Sequence, residues 1–126
     1  MPTCFNHTII YSRSRQASAH FLTQILGLPE PRAFGHFFVV DLDNGVSLDF
    51  ADAGGREFQP QHYAFLIDEA DFDRIYRRIR ERGLDHWADP GRRRPGFNRN
   101  DGGRGVYFED PDGHLLEVLT KPYGSA

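Results

Sequence analysis

Apolar residues recur along this chain with two periods, and the same succession of periods occurs twice. Residues 5–11, "FNHTIIY", and 61–68, "QHYAFLID", read as strands, each with a histidine near its start, His7 and His62. A stretch with helical spacing follows in each half. Ala17, Phe21, Leu22 and Ile25 mark the first; Phe72, Ile75, Tyr76 and Ile79 form a stripe of 3.6-residue period in the second. Both stretches end on a Gly-Leu pair, Gly27-Leu28 and Gly83-Leu84, as expected where a left-handed residue closes a helix. Each half then closes with a hairpin: "HFFVVDLDNGVSLDF" turns at Asp43-Asn44-Gly45, and "GVYFEDPDGHLLEVL" turns at Asp110-Pro111-Asp112-Gly113. Aligning Gly45 with Gly113 sets Asp49 opposite Glu117. The pattern predicts an α+β chain of two modules, about 4–52 and 60–121, making one domain over 1–126. Residues 51–59 and 88–103, rich in Gly, Pro and polar side chains, read as loops.

Alternation decides which side chains share a face. On the last strand Leu115, Glu117 and Leu119 lie together, opposite Leu116 and Val118. On the strand at 61–67, Tyr63, Phe65 and Ile67 form the bulky set that a helix should cover. His62, Ala64 and Leu66 take the other, concave face with Glu117, and His7 and Asp49 take the matching places in the first half. His114 falls on the parity of Leu116 and reads as helix-side or rim.

An acid inside "LLEVL" needs a reason, because an ionised carboxylate buried without a partner costs several kcal/mol or more. A divalent cation supplies one, and two imidazoles with one carboxylate form a common ligand set for zinc, manganese, iron or nickel. A hydrogen-bonded core histidine and an Arg–Glu pair are the plainer reading of the same residues, and arginine is abundant here.

Composition narrows the setting. With 126 residues, 39% hydrophobic and 13% aromatic, the chain can build a core without staples. A net charge of −3 gives no reason to expect nucleic acid or an anionic membrane as partner. Cys4 is the single cysteine, which excludes an internal disulfide and fits a reducing cytoplasm. No apolar run approaches a membrane span, and no signal-peptide order is expected at the N-terminus.

The stretches "NHTII", "HYAFLI" and "YFEDPDGHLLEVL" resemble the vicinal oxygen chelate superfamily of glyoxalases, extradiol dioxygenases, fosfomycin-resistance thiol transferases and bleomycin-resistance proteins, over roughly residues 4–121. The resemblance implies two βαβββ modules forming a cupped mixed sheet, the glyoxalase-like fold. It implies a divalent metal held by His7, His62 and Glu117, with Asp49 at a fourth position as ligand, base or structural acid. It implies a small oxygenated substrate chelating that metal, with lyase, isomerase, thiol transferase or dioxygenase chemistry. The alternative is metal-free sequestration of a small molecule, as in bleomycin-resistance proteins. A homodimer is implied too, with the site formed within one chain or across two.

The fosfomycin transferases match best in length and ligand placement. Yet Ile9 stands where they carry a polar residue, "NRNDGGRGVYF" has glycines in place of a serine-containing cation loop, and only Lys121 follows Glu117 closely. Beside the metal set, Tyr107 carries a phenol able to donate to a bound oxygen. Arg92, Arg94, Arg99 and Trp87 are candidate substrate contacts, or else members of a solvated loop.

Overall fold

A computed structural model describes residues 2–124. The chain divides into two compact units, Met1–Gln59 and Pro60–Ala126. The first unit contains β1 (His7–Ser12), α1 (Arg15–Leu26), β2 (Arg32–Phe34), β3 (Phe37–Asp41) and β4 (Ser47–Asp52). The second contains β5 (His62–Leu66), α2 (Glu69–Glu81), β6 (His86–Trp87), β7 (Gly105–Glu109) and β8 (Leu115–Leu119). Each is therefore a βαβββ module, and the chain is α+β as expected.

The modules share one topology. Their four-stranded sheets run β1-β4-β3-β2 and β5-β8-β7-β6. The first and last strands of each module pair in parallel, and the remaining pairs are antiparallel. The last strand is thus hydrogen-bonded on both sides, and it carries the acid in each case. Ile9 and Val39 flank Asp49; Ala64 and Tyr107 flank Glu117. His7 pairs with Ser47 and His62 with Leu115. The correspondence drawn from Gly45 and Gly113 is reproduced in the pairing register.

Local chemistry sets the helix limits. Ser14 caps α1 by accepting from the Ala17 N–H at 3.2 Å, and Asp68 caps α2 by accepting from the Asp71 N–H at 2.8 Å. Glu69 and Asp71 lie in the first turn of α2 and Arg78 and Arg80 in its last, in accord with the helix dipole. Gly27 and Gly83 adopt φ of 72° and 64°, and beyond them the Leu28 and Leu84 amides bond back to the Thr23 and Ile79 carbonyls. Both Gly-Leu pairs are helix terminators.

One face of each sheet is closed. In the second unit Val106, Phe108, Leu116 and Val118 are buried, as are Phe72, Ile75 and Ile79 of α2. Arg104 leads into β7 and ties α2 down: its guanidinium pairs with Glu69 at 2.7 Å and Asp73 at 2.9 Å, and lies 4.4 Å from the Phe72 ring centroid. In the first unit Ile10, Leu48 and Phe50 are buried with Ala19, Leu22 and Ile25 of α1. The outermost strands β2 and β6 are three and two residues long, too short for a period-2 signal in the sequence. The loop expected at 88–103 holds isolated bridges, Trp87 to Pro95 and Asn98 to Gly105. Among the described residues, no helix is long and apolar enough to cross a membrane.

Replacing Phe72, fully buried on α2, by Ala is expected to lower stability by about 3–5 kcal/mol. Equilibrium denaturant unfolding of the full chain measures this.

Candidate metal centre

The register places a row of side chains on the open face of the second sheet. Directly paired residues share a face, so Trp87, Tyr107, Glu117 and Ala64 line up across β6, β7, β8 and β5. His62 stands two residues before Ala64 on the same face. Glu117 is 1% exposed, yet it lies away from the helix-covered core.

The contacts of Glu117 define its chemistry. Oε1 lies 3.0 Å from His62 Nε2, and Oε2 accepts the Tyr123 hydroxyl proton. The Tyr107 and Tyr123 hydroxyls are 2.6 Å apart. A phenol has one proton, and that of Tyr123 goes to the carboxylate, so Tyr107 donates to Tyr123. Burial, then the hydrogen bond donated to Glu117, push the Tyr123 phenol well above its ordinary range; Tyr107 is also raised, chiefly by burial. Both phenols stay protonated as donors. The His62 ring stacks on Tyr107 with centroids 6.0 Å apart.

His62 carries the decisive detail. Its Nδ1 lies 3.0 Å from the Leu115 carbonyl oxygen, which only accepts, so Nδ1 bears the hydrogen. In the neutral ring Nε2 is then a bare lone pair, 3.0 Å from a carboxylate oxygen. Two lone pairs at that distance repel unless a cation, proton or metal, engages both. Histidine ligands commonly donate the second ring N–H to a backbone carbonyl, which fixes the tautomer and aims the other nitrogen. Two donor atoms bound to one metal at about 2.0–2.2 Å, at a right angle, stand roughly 3 Å apart. His62 and Glu117 therefore fit a divalent ion as adjacent ligands.

The first module is furnished differently. His7 is exposed, and its Nδ1 lies 2.7 Å from Asn6 Oδ1, which leaves Nε2 with the lone pair when the amide is so oriented. Asp49 accepts from the Ser47 hydroxyl at 2.9 Å. The counterpart of Ser47 is Leu115, which has no hydroxyl to offer Glu117.

The remaining candidates separate by surroundings. Trp87 faces the Tyr107 row, with the Arg92 guanidinium 5.8 Å from its ring centroid. Arg92 also pairs at 2.6 Å with Glu109, which shares Tyr107's face. Arg94 is exposed, its backbone N–H held by Asp89 at 2.7 Å. Arg99 lies over Phe97, whose ring meets Phe72 and Tyr76 of α2. Tyr123 escaped the sequence reading, since it follows the last strand and belongs to no periodic pattern.

A second group of potential ligands, Asp110, Asp112 and His114, is buried within the tight turn before β8. Asp110 Oδ1 accepts from the Asp112 and His114 amides, both at 2.9 Å. Burial raises the Asp110 carboxyl against the opposing pull of His114. His114 Nδ1 accepts from the Gln61 N–H at 2.8 Å, so in the neutral ring the hydrogen is on Nε2. Such a ring keeps no lone pair for a metal. This cluster locks the turn and joins it to the segment entering β5. His114 lies edge-on to Tyr63, on the face opposite Glu117, where parity puts it.

A profile of the Glyoxalase/Bleomycin resistance protein/Dioxygenase superfamily matches residues 5–118. The chain belongs to this superfamily. Among solved structures it is similar to the oxidase ChaP-H1, with 62% identity over 98% of this chain and 99% of that one and a TM-score of 0.94. Among curated proteins, metallothiol transferase FosB of Shouchella clausii is 48% identical over 59 residues, 47% of this chain and 37% of FosB. Glutathione transferase FosA of Serratia marcescens is 30% identical over 120 residues, 90% of this chain and 77% of FosA. The match with FosB thus spans little more than a third of that protein. The superfamily accounts for the paired modules.

Replacing Asp110 by Ala strands two buried amides and is expected to cost about 1–3 kcal/mol. Metal content per folded chain should stay at the wild-type level. Urea unfolding with elemental analysis of the same samples checks both.

Proposed function

We propose that this chain is a metal-dependent oxidase. It binds a divalent metal through His7, His62 and Glu117 and acts on a small oxygenated molecule with two adjacent oxygens. The observation that carries the proposal is the His62 Nε2 lone pair facing Glu117 Oε1 at 3.0 Å, with Nδ1 committed to a backbone carbonyl. His7 is the third ligand because it matches His62 strand for strand and residue for residue. Oxidation is favoured over the other reactions of the superfamily by the 62% identity to a protein named as an oxidase.

When bound, a redox-active divalent metal such as iron supplies the electron transfer that dioxygen chemistry requires and attracts paired substrate oxygens. The chain's own residues supply position. Trp87 offers a flat wall for a planar substrate, and Arg92 lies over its ring with its charge paired to Glu109, a pairing that an anionic substrate group would have to replace. Arg94 and Arg99 add positive charge from the loop. Tyr107 and Tyr123 donate their single protons in series, ending at Glu117, so Tyr107 serves as donor to a substrate oxygen, the role proposed for it, only by turning from Tyr123. Asp49 is proposed as a base or structural acid of the first module, since Ser47 already satisfies one of its oxygens. The protein is proposed to work as a cytoplasmic homodimer.

Thiol transfer is the second reading, favoured by the similarity to FosB and FosA. Ile9, the glycines before β7, and Lys121 as the single base closely following Glu117 argue against fosfomycin as its substrate.

Anaerobic purification with elemental analysis is expected to give one metal per site. His62→Ala should abolish its retention, and Glu117→Gln should weaken it strongly with the fold intact. Iron together with oxygen uptake on a catechol or hydroquinone supports the oxidase. Zinc or manganese with thiol-dependent turnover supports the transferase. Full metal stoichiometry in His62→Ala overturns both, and a protein that takes up no metal returns the chain to the metal-free binding class.

A further inference from the structure

Glu117 is held by two different kinds of partner, one on each oxygen. Oε1 meets His62 Nε2, and Oε2 takes the Tyr123 hydroxyl, which in turn takes the Tyr107 hydroxyl. Tyr123 lies outside any strand, six residues beyond Glu117 in the segment that follows β8. The residue is 58% exposed, although an aromatic side chain gains by burial. Only its hydroxyl end is turned inward, so the hydrogen bond to the carboxylate, rather than packing, accounts for where this residue sits. Tyr107 is by contrast 5% exposed and fixed on β7 directly opposite Glu117.

A carboxylate flanking a metal binds through one oxygen or through both, and the choice changes the coordination number. A phenol donating to Oε2 competes with a metal for that oxygen's lone pairs and fixes the rotation of the carboxylate plane. Oε1 is left as the oxygen beside the imidazole lone pair. We propose that Tyr123 is a positioning residue for the metal centre: its hydroxyl, supported by Tyr107, holds Glu117 so that the acid binds the ion through Oε1 alone. The proposal rests on the His7, His62, Glu117 reading above. It assigns a role to a residue of the segment after the last strand and adds a constraint on how Glu117 ligates.

The test uses the full chain stripped of metal and titrated with Co(II), whose visible absorption reports coordination number. Tyr123→Phe keeps the ring and removes the donor. It is expected to weaken Co(II) binding by about 10–100-fold, the usual effect of losing a partner that orients a ligand, and to change the absorption band of the bound ion. Tyr107→Phe acts through Tyr123, so it should give a smaller loss in the same direction. The double variant should be no weaker than Tyr123→Phe, because the two hydroxyls act in one chain. Wild-type affinity and spectrum in Tyr123→Phe overturn the inference and leave the metal reading standing. A wild-type chain that binds no Co(II) overturns both. Thermal melting of each variant verifies the fold, and if Tyr123→Phe fails to fold, an unaltered Co(II) titration of Tyr107→Phe overturns the proposal.

Discussion

The structure depends on a buried carboxylate that has to keep its charge on the uncovered face of a sheet. Glu117 is enclosed on a strand hydrogen-bonded to neighbours on both sides, so the strand cannot swing out to water. Such a group persists only when donors or cations offset its lost hydration, and removing one partner of a buried charged group costs several kcal/mol. Three features answer that demand. The Leu115 carbonyl fixes the His62 tautomer, the His62 ring presents a lone pair beside Oε1, and the tail returns to bring Tyr123 onto Oε2. The arrangement needs a cation, a proton or a metal ion, between imidazole and carboxylate, and this need is what the proposed metal site rests on.

The two modules repeat one register and differ in what surrounds their acids. The register sets His7 and Asp49 on the same pattern as His62 and Glu117. Yet the two acids meet different surroundings. Asp49 has the shorter side chain and a hydroxyl two residues earlier on its own strand, and it takes that hydrogen bond. Glu117 has Leu115 at the corresponding place and one more methylene, and it reaches outward to the histidine and the tail. Two differences, Ser in place of Leu and Asp in place of Glu, thus separate an acid bonded within its own strand from one that meets a histidine and a phenol.

Much of this was legible before any coordinates. The helix ends were written in Ser14, Asp68 and the Gly-Leu pairs, because caps are local chemistry. The faces of β5 and β8 were written in alternation, because successive strand residues point in opposite directions whatever surrounds them. The short strands β2 and β6 were not legible from periodicity, since three and two residues hold less than a full pattern. Their presence follows from pairing with a longer neighbour. Arg92 and Arg99 read alike in the sequence, as members of one basic loop. In the structure the first stacks on Trp87 in the row of Glu117, and the second covers Phe97 on the side of α2.

By itself the sequence determined the α+β class, the twofold repeat, and the common face of His62 and Glu117, all consequences of spacing along a chain with fixed backbone geometry. Tertiary structure alone decided the ring nitrogen that carries the hydrogen in His62 and in His114, for that depends on which carbonyl or amide lies within 3.0 Å. The same two histidine side chains emerge with opposite capacities. His62 keeps a lone pair for a cation, while His114 has surrendered the corresponding one to the Gln61 amide. Tyr123 belongs to that second category as well, because no local rule predicts where a segment beyond the last strand will turn back.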